Sequence, residues 1–483
     1  MIRQDVLQPM RLSQGEEPTS RRKENLCAVG GMKNPRVSLH KVPGHHKVGG
    51  EIAQIIDDFL TSRPRMETAI FKSIGDKTKS NTGPKTVDIA DLRSKIEDHL
   101  GIERSGKAIG PRLRYNIYDR WVSLAQDPDK YVPQWLRLGS GIGITKIPEY
   151  AGIFPESVST TAPEDMKNLI SPGESFVNYT SIEDSPHGEE VLGDLVSKGF
   201  VAKFTDESEV KKLLDGHLPY LSKLALITTS KDGVLKHRLI LDFKMSGIND
   251  RATKTERIVL PSAWDVVHDS LAMSTRLRAG QHIKYLVLDF SDAFYMMPLW
   301  KGELRYCGAW YKGAYYIWLA IPQGSMNGPS VYGRLAALTN RMSQGLFDTT
   351  EVRSQLYVDD PCVTLRGDEN RCRRLASILI CFWLVLGWKL AYHKGQFASN
   401  VDWVGYSLSV SPRVVTAKIK EEFMVDLRTT IENCMKLNLL SIDELRSLAG
   451  RANHVATLVY TRSVMGRSGR HETIQRSRWQ GMD

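Results

Sequence analysis

Apolar positions recur along this chain in two rhythms, which divide it into helical and strand-forming stretches. Spacings of three and four predict helices over residues 51–60 and 88–100, a helical region over 112–138, and helices over 189–199 and 207–214. Residues 139–173, with several Pro and Gly, read as loop. Beyond residue 223, runs rich in β-branched and aromatic residues predict strands over 223–229, 237–243, 283–290 and 315–322. Residues 291–297 suit a short helix before Pro298. Helical spacing returns from Gln323-Gly324 to about residue 346 and over 369–388, and hairpins are predicted at 354–366 and 401–410. Near the end, Ser441 and Glu444 are spaced as a capping box. Leu445, Leu448, Ala449, Ala452, Val455, Ala456 and Val459 then form one apolar stripe, with Arg446, Arg451 and Asn453 off it. The mixture predicts an α+β chain.

Three of these elements carry candidate chemistry. The hairpin SQLYVDDPCVTLR (354–366) places Asp359 and Asp360 side by side at its turn. Asp is an ordinary turn residue, so the pair suits either a plain turn or a rigid carboxylate pair for hard divalent cations. The strand IKYLVLDF ends in Asp289, a position that suits a helix cap or a metal ligand. Asp232-Gly233 is a hairpin-turn signal with Lys231, Lys236 and Arg238 beside it. That basic hairpin is a solvated surface or a phosphate clamp. Trp121, Leu124, Trp135 and Leu138 offer a packing face rather than a ligand platform.

Composition narrows the picture. The chain has 483 residues, 41% hydrophobic and 25% charged, a formal net charge of +10 and a pI near 9.1, a balance that tilts toward a polyanionic partner. The six cysteines (27, 307, 362, 372, 381 and 434) show no CxxC spacing, which argues against a disulfide framework or a four-cysteine zinc site. Cys27 with His40, His45 and His46 matches no standard zinc spacing. The N-terminus lacks a secretory signal, and the apolar run 375–388 is shorter than the roughly 20 residues a spanning helix needs. The expected localisation is intracellular, cytoplasmic or nuclear, with no membrane partner. Residues 1–50, with nine Lys/Arg against four Asp/Glu, read as a basic disordered arm, and 462–483, with five arginines against two acids, as a basic tail.

The order of the pieces is more specific than any one of them. A basic hairpin, LDFSDAF, a PQG turn, YVDD, AYHKGQF, WVGY and LRSLAGRANHVATLVYT follow one another over roughly residues 180–460. This series resembles the reverse transcriptase family in its LTR-retrotransposon and retrovirus-like branch. The resemblance implies a right-hand polymerase fold, with fingers and palm over 174–412 and thumb helices over 413–461. Residues 51–173 form an N-terminal region without an assigned role.

The resemblance also implies roles. Asp289, Asp359 and Asp360 would hold two Mg²⁺ ions, with Mn²⁺ as a substitute, for transfer of deoxynucleotides from their triphosphates to a primer on an RNA or DNA template. Without cations, three converging carboxylates would repel one another. Lys231 and Arg238, with Lys236 as a stand-in for the first, resemble the residues that close on the triphosphate. Phe294 falls where a bulky ring excludes a 2′-hydroxyl, and equally suits a core position. Gln323 and Gly324 look like the turn that contacts nucleotide and template, and Lys394 like a general acid toward pyrophosphate. Trp403, Gly405 and Tyr406 would grip the primer, although the two rings also suit a sheet edge. Gly450, Arg451 and His454 would track the primer–template, with His454 standing where retroviral relatives carry an aromatic. No Asp-Thr/Ser-Gly triplet, zinc knuckle or RNase H region is visible, so the expectation is a fragment of a retrotransposon polyprotein. Two other readings remain: a remnant that binds nucleic acid without catalysis, and an RNA-dependent RNA polymerase, which Phe294 and Val358 disfavour.

Overall fold

The computed structural model describes residues 43–77, 83–103, 113–157, 176–231, 234–411, 414–437, 441–456 and 458. Residues 1–42, the tail and the Asp232-Gly233 turn lie outside the described residues. Helix α1 (Pro43–Ser62) opens on Pro43, whose missing amide hydrogen is no loss at a helix start. It therefore begins inside the stretch expected to be a disordered arm. His45, Val48, Ile52, Ile56, Phe59 and Leu60 are buried at helical spacing, a pattern that the charge count over residues 1–50 averages away. Helices α2 (Pro64–Ser73), α3 (Thr86–His99), α4 (Tyr115–Ala125) and α5 (Tyr131–Leu138) follow. Trp121 and Trp135 are buried packing residues, whereas Leu124 and Leu138 are 43% and 60% exposed and take no part in the face expected of them.

The next elements are α6 (Gly188–Ser197), β1 (Val201–Phe204), α7 (Glu207–Leu213), β2 (Leu224–Lys231), β3 (Val234–Leu241) and α8 (Ala263–Ser274). Then come β4 (His282–Val287), β5 (Gly308–Tyr311), β6 (Ala314–Trp318), α9 (Gly328–Gly345), β7 (Val352–Tyr357), β8 (Asp360–Gly367) and α10 (Glu369–Leu386). The chain closes with β9 (Gln396–Ala398), β10 (Asn400–Trp403), β11 (Tyr406–Ser411), β12 (Val414–Ile419), α11 (Glu421–Leu437) and α12 (Ile442–Ala456). No helix among the described residues is long and apolar enough to cross a membrane, and the apolar run at 375–388 is the buried side of α10 and the turn after it.

The centre is an antiparallel sheet in the order β7-β8-β4-β9. Successive side chains on a strand face opposite ways, so β4 serves two cores. Leu286 and Leu288 join the larger core, which runs from Val48 to Tyr392 and includes α1 to α5. Ile283, Tyr285 and Val287 join a smaller one, shared with α8, Trp403, Tyr406 and Leu408. The larger core crosses the division expected at residue 173: the N-terminal helices are a layer of the same body. The second hairpin, β2–β3, pairs Lys231 with Val234, Thr229 with Lys236 and Ile227 with Arg238.

That layer is bolted on by buried charge. Arg341 of α9 donates from Nε and Nη2 to the two oxygens of Asp127 at 2.7 and 2.8 Å. His45 Nδ1 accepts from Trp121 Nε1 at 2.9 Å, which leaves Nε2 to donate to Asp127 Oδ2 at 2.7 Å. His45 is thus a core residue and no part of a metal set. Arg334 makes a second bidentate pair with Asp129, at 2.8 and 2.5 Å. Burial works against the Asp127 charge, but the bonds from His45 and Arg341 hold its carboxyl well below the usual range. Arg341→Met leaves that charge without its main partner and should cost about 3–5 kcal/mol. Arg371→Met, which removes a half-exposed pair with Glu351, should cost about 1 kcal/mol or less. Urea unfolding of the two variants checks the contrast.

Candidate active site

Two turns meet at the end of the central sheet. The β7–β8 register closes with Tyr357 opposite Asp360, leaving Val358 and Asp359 as a two-residue turn. Val358 has φ of +54°, a left-handed conformation that costs a β-branched residue about 1–3 kcal/mol. The surroundings hold it there. Trp403 Nε1 donates to Asp360 O at 2.9 Å, the Tyr357 ring stands edge-on to Trp403 at 6.2 Å, and Val358 packs against the larger core. On the other side, Phe290 N donates to Asp359 O at 3.0 Å, which sets the backbone of Asp289 beside that turn. Asp289 itself stands two residues past the end of β4 and accepts at its carbonyl from Ala391 N at 2.9 Å. Its Oδ2 accepts from Lys394 Nζ at 2.6 Å.

The charges interact as crowded carboxylates must. Burial first, and the charge of Asp289 second, raise the Asp359 carboxyl. Burial, then Asp359 and Asp289, push Asp360 up to about 7. Lys236 is lowered by desolvation and by the like charges of Lys394 and Arg238, against the opposing pull of Asp289 and Asp359. Lys236 therefore feels two of the aspartates as well as the neighbouring cations. Lys231 lies at the far end of the hairpin register, opposite Val234, and its side chain is outside the description. The Tyr332 hydroxyl of α9 is buried, has no hydrogen-bond partner among the described residues, and is raised by burial and by the charges of all three aspartates. Nothing in the spacing of the sequence singles Tyr332 out, since its apolar neighbours on α9 mark it as core.

Phe294 sits in a 3₁₀ turn (Ala293–Met296), half-buried, with its ring 5.9 Å from Tyr332 and edge-on to Tyr295 at 6.5 Å. Gln323 and Gly324 stitch the basic hairpin to this region: Leu241 N donates to Gln323 O at 3.2 Å and Asn249 Nδ2 to Gly324 O at 2.9 Å. Gly324 has φ of +112°, and a Cβ there would collide with Leu241 O, so only glycine fits. It borders a cavity of about 420 Å³ lined also by Tyr179, Ile240, Lys244 and Asn249.

The residues expected to hold primer and template are arranged differently. Trp403 and Tyr406 are 2% and 3% exposed, with their rings in the smaller core, so what the hairpin presents is its Val404-Gly405 turn, with φ of +45° and +82°. His454 stacks on Tyr406 at 4.4 Å, lies 5.0 Å from Phe423, and accepts at its carbonyl from Tyr406 Oη at 2.8 Å. Burial pushes its imidazole down. Arg451 donates to Asp426 at 2.7 Å and Thr430 at 3.0 Å, tying α12 to α11. Gly450 stands on an open helix face. Helical spacing groups these residues correctly, but which of them face another element is a tertiary fact. The capping box forms as expected, with Ser441 N and Oγ donating to Glu444 Oε2 at 2.8 Å.

No protein-family model matches this chain, and no curated protein does. Among solved structures, it is similar to the foamy viral protease-reverse transcriptase dRH in complex with ds DNA, with a TM-score of 0.40 and 16% identity over 74% of this chain and 55% of that one. The complex of the foamy viral protease-reverse transcriptase with RNA/DNA hybrid gives a TM-score of 0.38 and 17% identity, over 74% of this chain and 42% of that one. The chain spans about half the length of those chains. Likeness at this level carries no argument about function, which rests on the side chains above.

Among the described residues, no group of three His, Cys, Asp or Glu side chains stands close enough to hold a metal ion as arranged here. Asp289 instead takes the Lys394 ammonium. A carboxyl raised in the folded state stays protonated while the unfolded chain ionises, so it costs stability as pH rises from the usual carboxylate range to about 7. Asp360→Asn should therefore raise the melting temperature in the presence of a chelator, by about 2 °C near pH 8 and by less near pH 5. Calorimetry at the two pH values checks it.

Proposed function

We propose that this chain is an RNA-directed DNA polymerase of the retrotransposon kind, extending a primer on an RNA or DNA template with deoxynucleotides. The observation that carries the reading is the Phe290–Asp359 hydrogen bond, which brings Asp289 and the Asp359-Asp360 pair together opposite Lys236, Arg238 and Lys394. In this reading β2–β3 belongs to the fingers, the four-stranded sheet to the palm, and α11 and α12 to the thumb.

The residues fit a pair of Mg²⁺ ions by their chemistry. The donors are hard carboxylate oxygens, and burial first, then the neighbouring aspartate charges, make two of them hold protons tightly, a cost that a bound cation would offset. Lys394 on Asp289 is a cation already in place. Asp289, Asp359 and Asp360 would be the ligands, and when bound the ions would supply a polarised primer 3′-hydroxyl and charge neutralisation on the triphosphate.

The chain's own groups do the rest. Arg238 binds phosphate oxygens through paired hydrogen bonds and Lys236 through a point charge. Lys394 releases Asp289 and holds its Nζ proton for the departing pyrophosphate. Phe294, supported by Tyr332, fills the space a 2′-hydroxyl would need.

Primer extension on poly(rA)/oligo(dT) with dTTP and Mg²⁺ tests this. The wild-type chain incorporates nucleotide, and Asp359→Asn lowers the rate by about a thousandfold, roughly 4 kcal/mol of barrier. No incorporation by the wild type, together with a salt-sensitive shift of duplex in a gel, would instead leave a nucleic-acid binder without catalysis. Phe294→Val should raise ribonucleotide use at least about tenfold. Unchanged discrimination removes Phe294 from that role.

A further inference from the structure

The loop that carries Lys394 is held from two sides. One side is the chain that carries Asp289: Ala391 N donates to Asp289 O at 2.9 Å, and a Cβ on Gly395 would stand 2.9 Å from Leu288 Cδ2. The other side is the N-terminal layer. The Phe71 ring of α2 meets Phe397 edge-on at 4.9 Å, Gly75 N donates to Tyr392 O at 3.4 Å, and the same Gly395 Cβ would lie 3.3 Å from Ile74 Cγ2. Gly83 approaches Tyr392 so closely that a Cβ would stand 2.6 Å from the ring carbon Cζ. The Arg373 guanidinium lies over Phe71 at 3.9 Å, and Lys284 Nζ over Phe397 at 4.9 Å, so the aromatic pair is bracketed by cations.

Between these two walls the loop is tight. Lys394 N donates to Ala391 O at 3.0 Å and Gly395 N to Tyr392 O at 2.8 Å, closing the 3₁₀ turn Tyr392–Lys394 whose last residue reaches Asp289. A lysine on a free loop would sample many rotamers, and a long flexible side chain loses up to about 2 kcal/mol of entropy when fixed. Here the backbone beneath it is fixed by residues more than three hundred positions away in the chain.

We infer that Phe71, Ile74 and Gly83 are positioning residues for Lys394, which makes α2 and the chain after it part of the candidate site. The chemistry assigned to Lys394 rests on the polymerase reading, whereas its placement does not.

The test uses the full chain with Phe71→Ala, Lys394→Ala and the double variant, and Ile52→Val as a packing control elsewhere in the N-terminal layer. In primer extension, Phe71→Ala should lower kcat about ten- to a hundredfold, since small displacements of a reacting group cost that much, with KM for dTTP within about twofold of wild type. Added to Lys394→Ala it should cost nothing further, because both act through one group. Ile52→Val should lower the melting temperature and leave kcat alone. A second readout is independent of catalysis: acylation of Lys394 by an N-hydroxysuccinimide ester, mapped by mass spectrometry, should rise severalfold in Phe71→Ala as the pair with Asp289 loosens. Multiplicative losses in the double variant, or unchanged acylation of Lys394, overturn the inference. A wild-type chain that incorporates nothing defeats the polymerase reading alone, and acylation then still decides the placement.

Discussion

One backbone hydrogen bond, from Phe290 N to Asp359 O, ties two carboxylate-bearing turns that lie 70 residues apart in the chain. It extends the β4–β8 pairing, in which Val287 faces Cys362, beyond the last regular strand residue. A slip of one residue in that register would send the residues fitted to each core into the other and carry Asp289 away from the turn. The two-sided burial of β4 forbids the slip, because Leu286 and Tyr285 serve different cores. The convergence of charge is thus a by-product of hydrophobic alternation. Repulsion among the aspartates, behind burial as the first cause, shows in the raised carboxyls of Asp359 and Asp360.

That repulsion organises what surrounds it. Two carboxyls hold their protons more tightly than usual, one lysine is paired to the third, and another lysine is pulled two ways by Asp289 and Asp359 on one side and Lys394 and Arg238 on the other. The strained Val358 belongs to the same account. A turn residue at φ of +54° with a branched side chain persists only where its neighbours over-determine it, here through Trp403, Tyr357 and the larger core.

The central strands, the hairpin over 354–366 and the capping box at Ser441 were legible because each depends on residues near one another in sequence, although the turn falls at 358–359, one residue before the Asp359-Asp360 position expected of it. The aspartates were legible as a set only through the order of the surrounding motifs, since each alone suits a turn or a cap. What sequence could not supply was facing. His454 and Arg451 share a helix with Gly450, yet one stacks on Tyr406 and the other pairs with Asp426. Helix α1 was missed at its start because a basic flank masked the spacing of His45, Val48 and Ile52.

The N-terminal layer shows why a region without a motif can still belong to a site. Its attachment to α9 runs through buried, bidentate charge pairs, which are costly to break singly and demanding in geometry, so they fix the layer's position as well as its presence. Hydrophobic contact alone would let α2 slide over α10 at small cost. Arg374 of α10 removes that freedom, since it is held by Asp57 of α1 at 2.6 Å and by Glu67 of α2 at 3.4 Å. The precision delivered at Arg341 and Arg374 is then available at Phe71, where α2 meets the Lys394 loop. Close packing passes a displacement on rather than absorbing it. Phe71 thus meets the Lys394 loop from a layer whose place is already fixed.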